Sequence, residues 1–223
     1  MDFWSNMKTD KQIDFNLYLI TDRNQSGGMR LIDVVEEALK GGVRGVQLRE
    51  KDLSSRELYE LAYDMRKLTT NYGAKLMIND RVDIALAVDA DGVHLGLNSM
   101  PIHRVRKLLG NNKLIGLSCH NQVNALMAQE NGADFITFGP VYYTPSKANY
   151  GLPVGIEKLD TVTHMLKIPV FALGGINQEN IHEVVAAGAA GISLVSAIIA
   201  SDDPRRVAEA MIAMLPPFRS RET

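Results

Sequence analysis

The chain has 223 residues, 46% of them hydrophobic, and a formal net charge of -2. That is ample apolar content for a large core, and too little positive charge for a nucleic-acid binder that works by bulk electrostatics. A single cysteine, Cys119, excludes an intramolecular disulfide, and no apolar run reaches the roughly 18 residues of a membrane span. The N-terminus (Met1 to Phe15) is polar and acidic, unlike a signal peptide, so the expectation is a cytoplasmic protein with neither nucleic-acid nor membrane partners.

In chain order the pattern alternates strand and helix. Apolar strands are expected at Leu17–Thr21, Gly45–Arg49, Lys75–Ile78, Gly92–Leu95, Leu114–Leu117, Phe135–Phe138, Val170–Leu173 and Gly191–Val195. Helical spacing lies between them. Val34, Val35, Ala38 and Leu39 share one face within Leu31–Leu39, and Leu58, Leu61, Ala62, Met65 and Leu68 share another. Later helices are expected over Arg81–Val88, Pro101–Leu109, Gln122–Asn131, Gly155–Met165, Asn177–Ala187 and Pro204–Leu215. Ser54 before Glu57 and Asn177 before Asn180 suit helix starts; Gly73, Gly110, Gly132 and Gly188 sit where helices should stop.

Eight strands alternating with eight helices predict a single (β/α)8 TIM barrel of the α/β class, with an open doubly wound sheet as the alternative. The strands are short and apolar, as strands buried on both faces should be. No linker divides the chain, so residues 1–223 read as one domain, with residues 1–14 and 216–223 as a loosely attached lead and tail. The polar loop Gly139–Pro153 breaks the rhythm, and loops of that length are usually functional or disordered. Apolar faces on outer helices are compatible with a homo-oligomer.

In such a barrel the site lies at the carboxyl ends of the strands. The segment Val46-Gln47-Leu48-Arg49-Glu50-Lys51 is the most informative there. Strand alternation puts Gln47, Arg49 and Lys51 on one face, and cations at the end of a buried strand call for an anionic ligand unless the strand is a solvated edge. Gly174 and Gly175 after strand seven either let the backbone approach a ligand or make a tight turn. Ser196 opens a helix-like turn after strand eight, in the loops where this architecture recurrently binds phosphate. Asp80 reads as a Mg²⁺ ligand or a helix cap. His120 reads as an acid/base group or a cap, His94 as an interior core residue, Cys119 as buried filler, and Lys147 as a phosphate clamp or an exposed side chain.

The ordered segments Leu17-Tyr18-Leu19-Ile20-Thr21-Asp22, Val46 to Asp52, Ile78-Asn79-Asp80-Arg81, Gly92-Val93-His94-Leu95-Gly96, Phe138-Gly139-Pro140-Val141 and Leu173-Gly174-Gly175-Ile176 resemble those of thiamine phosphate synthases. The superfamily also includes the thiazole tautomerases. The resemblance implies a transferase that joins hydroxymethylpyrimidine diphosphate to a thiazole phosphate and releases pyrophosphate. By it, Gln47, Arg49, Lys51, Asn79, Ser118 and Lys147 hold the pyrimidine diphosphate, and Thr144, Pro145, Ser146, Gly175, Val195 and Ser196 line the thiazole phosphate site. Asp80 ligates Mg²⁺. The family usually continues His-Leu-Gly with Gln-Glu-Asp, whose Asp is a second Mg²⁺ ligand; here the positions read Leu97, Asn98 and Ser99. A serine is a poorer magnesium ligand and brings no charge. Tautomerases also lose acidic ligands and use a histidine at the position of His120. Asp80 and the Thr144-Pro145-Ser146-Lys147 loop favour the synthase over the tautomerase, and Arg49, Lys51 and Lys147 together favour it over a non-catalytic binder of thiamine-pathway phosphates.

Overall fold

The computed structural model of the chain describes residues 12–145 and 152–218. Eight parallel strands close into a barrel in chain order: β1 (Leu17–Ile20), β2 (Gly45–Leu48), β3 (Lys75–Asn79), β4 (Gly92–Leu95), β5 (Leu114–Cys119), β6 (Phe135–Phe138), β7 (Val170–Leu173) and β8 (Gly191–Leu194). β8 pairs back onto β1, so the open sheet is excluded and β2 is no edge strand. The helices are α1 (Leu31–Lys40), α2 (Ser55–Asn71), α3 (Val82–Ala87), α4 (Ile102–Leu109), α5 (Gln122–Glu130), α6 (Ile156–Met165), α7 (Ile181–Ala186), α8 (Ser196–Ile199) and α9 (Pro204–Ala213), with a 3₁₀ turn at Arg23–Gln25. Among the described residues no helix is long and apolar enough to cross a membrane.

Local chemistry explains the ends. Ser54 and Glu57 form a reciprocal capping box on α2. Helix α7 starts later than its spacing suggests. The Asn177 side chain accepts from the amides of Glu179 (2.9 Å) and Asn180 (3.2 Å), which holds that segment as a turn instead of a first helical turn.

The registers fix how inward side chains stack. Gln47 registers through Met77 with Gly92, two residues before His94, and the tilt of the strands makes His94 its level neighbour. The same step leads to Thr137 on β6, Ser193 on β8 and back to Gln47, and it closes after a shift of eight residues. Below this polar layer lie Tyr18, Met77, Gly116 and Phe171, then Gly45, Gly92, Phe135 and Gly191. Above it lie Ile20, Asn79, Ser118 and Leu173, then Arg49, Gly96, Gly139 and Val195.

Small residues in the lower layers make room for rings. A Cβ on Gly45 would sit 2.6 Å from the Phe15 ring, and one on Gly116 would sit 2.5 Å from both Phe135 and His94. Phe15 fills the bottom of the barrel, stacked on Tyr18 at 5.5 Å and edge-on to Phe135 at 6.2 Å. Ile13 and Phe218 pack against the same cluster, and Asn16 Nδ2 donates to the Pro216 carbonyl at 2.9 Å. The inner ends of the lead and tail are therefore anchored where loose attachment was expected, because the barrel floor needs an apolar cover. Residues 1–11 and 219–223 lie outside the described residues.

Two matching ion pairs tie helices to the amino-terminal rim. Asp91, just before β4, accepts from Arg66 of α2 at 2.7 Å and from the Leu76 amide at 2.8 Å. Asp134, just before β6, accepts from Arg106 of α4 at 2.6 Å and from the Ile115 amide at 2.7 Å. Arg66 and Asp91 are both buried, so removing one partner strands a charge in the interior. Asp91→Ala is expected to lower the unfolding free energy by about 3–5 kcal/mol in urea denaturation. A loss below about 1 kcal/mol would mean that the pair behaves as a solvated surface contact.

Candidate active site

The two upper layers and part of the polar layer line a cavity of about 450 Å³ at the carboxyl ends of the strands. The fold thus brings together most of the residues singled out by sequence. Gln47, Arg49, Lys51, Asn79, Asp80, Ser118, His120, Thr144, Gly174, Gly175, Val195 and Ser196 all line it. Pro145 and Ser99 do not; Ser99 instead touches Asp80 from behind. Ser146 and Lys147 lie outside the described residues.

The end of β2 carries the cations. Gln47 is buried, Arg49 half-buried and Lys51 exposed, on the common face that strand alternation requires. Glu50 points the other way. Its carboxylate accepts from the Thr21 hydroxyl (2.6 Å), the Arg23 amide (3.1 Å) and the Arg23 guanidinium (3.3 Å). Arg23 also grips Asp52 through both terminal nitrogens, at 2.5 and 2.9 Å, and this holds the Asp52 carboxyl down to about 2. The two carboxylates adjacent in sequence are therefore committed to Arg23. Among the described residues, neither Arg49 nor Lys51 has an ion-pair partner. Two uncommitted cations on one cavity wall make a site for a multiply charged anion.

Asp80 follows β3, the strand beside β2, in the left-handed region at φ 59. The Ser99 hydroxyl donates to its Oδ1, and Asn79 Nδ2 donates to Oδ2 at 3.1 Å. Ser99 Oγ in turn accepts from the Gly96 amide at 2.7 Å. The capping role for Asp80 is not taken up, since α3 has no side-chain cap. Its carboxylate is exposed and faces the cavity instead. Among the described residues no cluster of three or more His, Cys, Asp or Glu could hold a metal ion. A hard cation here would rest on one carboxylate, with ligand oxygens and water completing the shell, a donor set that suits Mg²⁺.

Beneath Ser118 lies a buried network. Gln47 Nε2 donates to the Tyr18 hydroxyl at 3.2 Å, which sits 3.4 Å from His94 Nδ1. His94 Nε2 is 3.0 Å from Ser118 Oγ, and Thr137 Oγ1 is 3.3 Å from that same oxygen. Burial pushes the His94 ring down to about 3; Asp80 opposes this and Arg49 adds to it. His94 is thus an interior residue as expected, and it is neutral.

His120 does not cap α5, a task that falls to Asn121. Its Nδ1 lies 2.5 Å from the Gly139 carbonyl, so Nδ1 carries the hydrogen. The Cys119 thiol is buried and pushed up to about 12, in keeping with an inert filler.

The β7 and β8 rims complete the mouth. Gly174 (φ 98) and Gly175 (φ 66) pack under the β6 loop: a Cβ on Gly174 would stand 2.5 Å from Pro140, and one on Gly175 would stand 2.5 Å from the Tyr143 carbonyl. The glycines therefore serve the turn and, at the same time, open the backbone to the cavity. Ser196 and Ala197 begin the four-residue α8 and line the cavity, while the Ile198 and Ile199 amides bond the Val195 carbonyl.

Sequence reasoning places Asp22 on the β1 rim, where it lines the cavity, but missed Gln25, joined to Asp22 at 2.6 Å; Gln25 sits in the 3₁₀ turn, which no apolar period marks. Ser193 follows from simple alternation along Gly191, Ser193 and Val195.

The sequence profile of the family described as "Thiamine monophosphate synthase" matches residues 17–198. A protein of Geobacter sulfurreducens named "Putative thiamine-phosphate synthase" is 63% identical over 211 residues, 95% of this chain and 99% of that one. The "Thiamine-phosphate synthase" of Clostridium novyi is 47% identical, covering 86% of this chain and 94% of its own. Among solved structures, "Thiamine phosphate pyrophosphorylase from Pyrococcus furiosus" superposes with a TM-score of 0.81 at 39% identity, over 92% of this chain and 96% of that one.

Removing one of the uncommitted cations should weaken anion binding. Lys51→Ala is expected to lower affinity for inorganic pyrophosphate roughly tenfold in titration calorimetry, the worth of a charge-assisted hydrogen bond. Unchanged affinity would place the anion elsewhere.

Proposed function

The chain belongs to the thiamine monophosphate synthase family, and we propose that it acts as a thiamine-phosphate synthase, a transferase of thiamine biosynthesis. Its substrates in this reading are hydroxymethylpyrimidine diphosphate and a thiazole phosphate, with or without the carboxylate. The observation that carries the reading is that the cations Arg49 and Lys51, without ion-pair partners among the described residues, line the same cavity as the Asp80 carboxylate.

The reaction breaks the bond between the pyrimidine methylene carbon and the diphosphate oxygen. The electrons leave with pyrophosphate, and the thiazole nitrogen lone pair forms the new carbon–nitrogen bond; where the thiazole carries the carboxylate, that group leaves as carbon dioxide and a proton takes its place on the ring carbon. Arg49 and Lys51, with Lys147 from the β6 loop, hold the diphosphate and stabilise the charge that builds on it as it leaves. Gln47, Asn79 and Ser118 hold the pyrimidine half. Thr144, Pro145, Ser146, Gly174, Gly175, Val195 and Ser196 receive the thiazole phosphate, with glycine backbone facing the anion. Asp80 would hold Mg²⁺, which neutralises diphosphate charge when bound. Ser99 keeps the Asp80 carboxylate in place and adds no charge of its own. No proton leaves carbon in this coupling, so His120 acts as a cavity wall that contacts substrate. Orientation of two anions supplies much of the rate.

Purified protein with both substrates and Mg²⁺ is expected to yield thiamine phosphate and pyrophosphate, and EDTA should stop it. Lys51→Ala should lower kcat/KM by roughly 10²–10³, as the loss of one transition-state charge partner does. Absence of coupling together with proton exchange on the thiazole carboxylate would favour the tautomerase, with His120 as its base. Binding with neither reaction would favour the non-catalytic binder.

A further inference from the structure

Resting on the synthase reading, we propose that Tyr18 and His94 are positioning residues that fix the hydrogen-bond polarity of the cavity floor. They make Ser118 a donor and Gln47 an acceptor toward the aminopyrimidine ring. Gln47 Nε2 donates to the Tyr18 oxygen at 3.2 Å, which leaves the phenol proton for His94 Nδ1 at 3.4 Å. The imidazole is 1% exposed, with the Tyr18 and Phe135 rings each 5.6 Å away, and such a site keeps it neutral. A neutral ring that accepts at Nδ1 carries its hydrogen on Nε2. Nε2 therefore donates to Ser118 Oγ at 3.0 Å, and Thr137 Oγ1 donates to the same oxygen from 3.3 Å.

Both lone pairs of Ser118 Oγ are then filled from below, and its proton is left for the cavity. Gln47 has used an amide hydrogen downward. Among the described residues its Oε1 receives no donor, and the residue lines the cavity. The floor thus offers one acceptor on β2 and one donor on β5. An aminopyrimidine matches it: the exocyclic amine donates to Gln47, and a ring nitrogen accepts from Ser118. An unaminated ring leaves the Gln47 acceptor without a donor, the kind of mismatch that discriminates strongly in buried sites. Tyr18 and His94 act through Gln47 and Ser118 and touch no substrate.

Two readouts test this. Ring ¹⁵N shifts of His94 in the full-length, substrate-free protein, assigned through its backbone, are expected to show a protonated Nε2 and a bare Nδ1. Hydrogen on Nδ1 would reverse the relay and overturn the proposal. In steady-state coupling, Tyr18→Phe and Thr137→Val should each raise KM for the pyrimidine diphosphate roughly tenfold, with KM for the thiazole phosphate changed by less than about twofold. Equal rises for both substrates, or for neither, would overturn it. Wild-type protein that fails to couple would sink the proposed reaction and leave the relay to be judged by the ring proton alone.

Discussion

The stagger of eight closed strands is the constraint from which the rest of this structure follows. Each inward side chain is placed level with those of alternate strands, in layers of four. Layer composition then decides what each height of the barrel can be. Three glycines and Phe135 at the bottom leave space that Phe15 fills with an aromatic ring. One step higher, Gly116 opposes Tyr18, Met77 and Phe171, so the interior stays apolar and dense. Only above the layer of Gln47, His94, Thr137 and Ser193 do side chains shrink or become polar enough to leave a cavity. The mouth is hollow because the floor beneath it is full.

Charge is arranged with the same economy. The chain is nearly neutral overall at -2, so a site for a polyanion has to be made locally. Arg23 does this indirectly, by occupying Glu50 and Asp52, the two carboxylates adjacent in sequence to Arg49 and Lys51. The Thr21 hydroxyl joins the arrangement by donating to Glu50 and accepting from the Arg49 amide at 2.9 Å. This ties the end of β1 to the end of β2 and holds the Arg49 backbone at the rim. A carboxylate left idle in that position would pair with Lys51 and compete with an anionic ligand.

Much of this was legible in the sequence. All eight strands fall within two residues of their expected ends, because strands buried on both faces are short unbroken apolar runs and the helices between them carry clear stops. Alternation along Val46 to Lys51 put Gln47, Arg49 and Lys51 on the correct face, and twelve of the residues singled out line one cavity. What was not legible depends on contacts between distant elements. The Ser99–Asp80 contact joins the loops after β4 and β3 and has no local signature. Thr137 and Ser193 look like ordinary strand residues until the registers bring them level with His94. The start of α7 was misread because Asn177 caps a turn where it was expected to open a helix.

The Asp80–Ser99 pair bears on how the proposed metal would be shared between protein and substrate. Two carboxylates can hold Mg²⁺ with little help from a ligand, whereas one leaves most of the coordination sphere to other oxygens. In the free protein the Asp80 carboxylate is already a double acceptor, from Asn79 and Ser99. Those bonds fix its direction and lower its need for a cation. In the proposed reaction a diphosphate beside Arg49 and Lys51 would supply several anionic oxygens at once. Metal and substrate would then stabilise each other's binding, and by linkage each would raise the other's affinity by the same factor. Serine in place of a second carboxylate would make this a metal site that the substrate completes. The uncommitted cations on the β2 wall are what make that substrate the natural carrier.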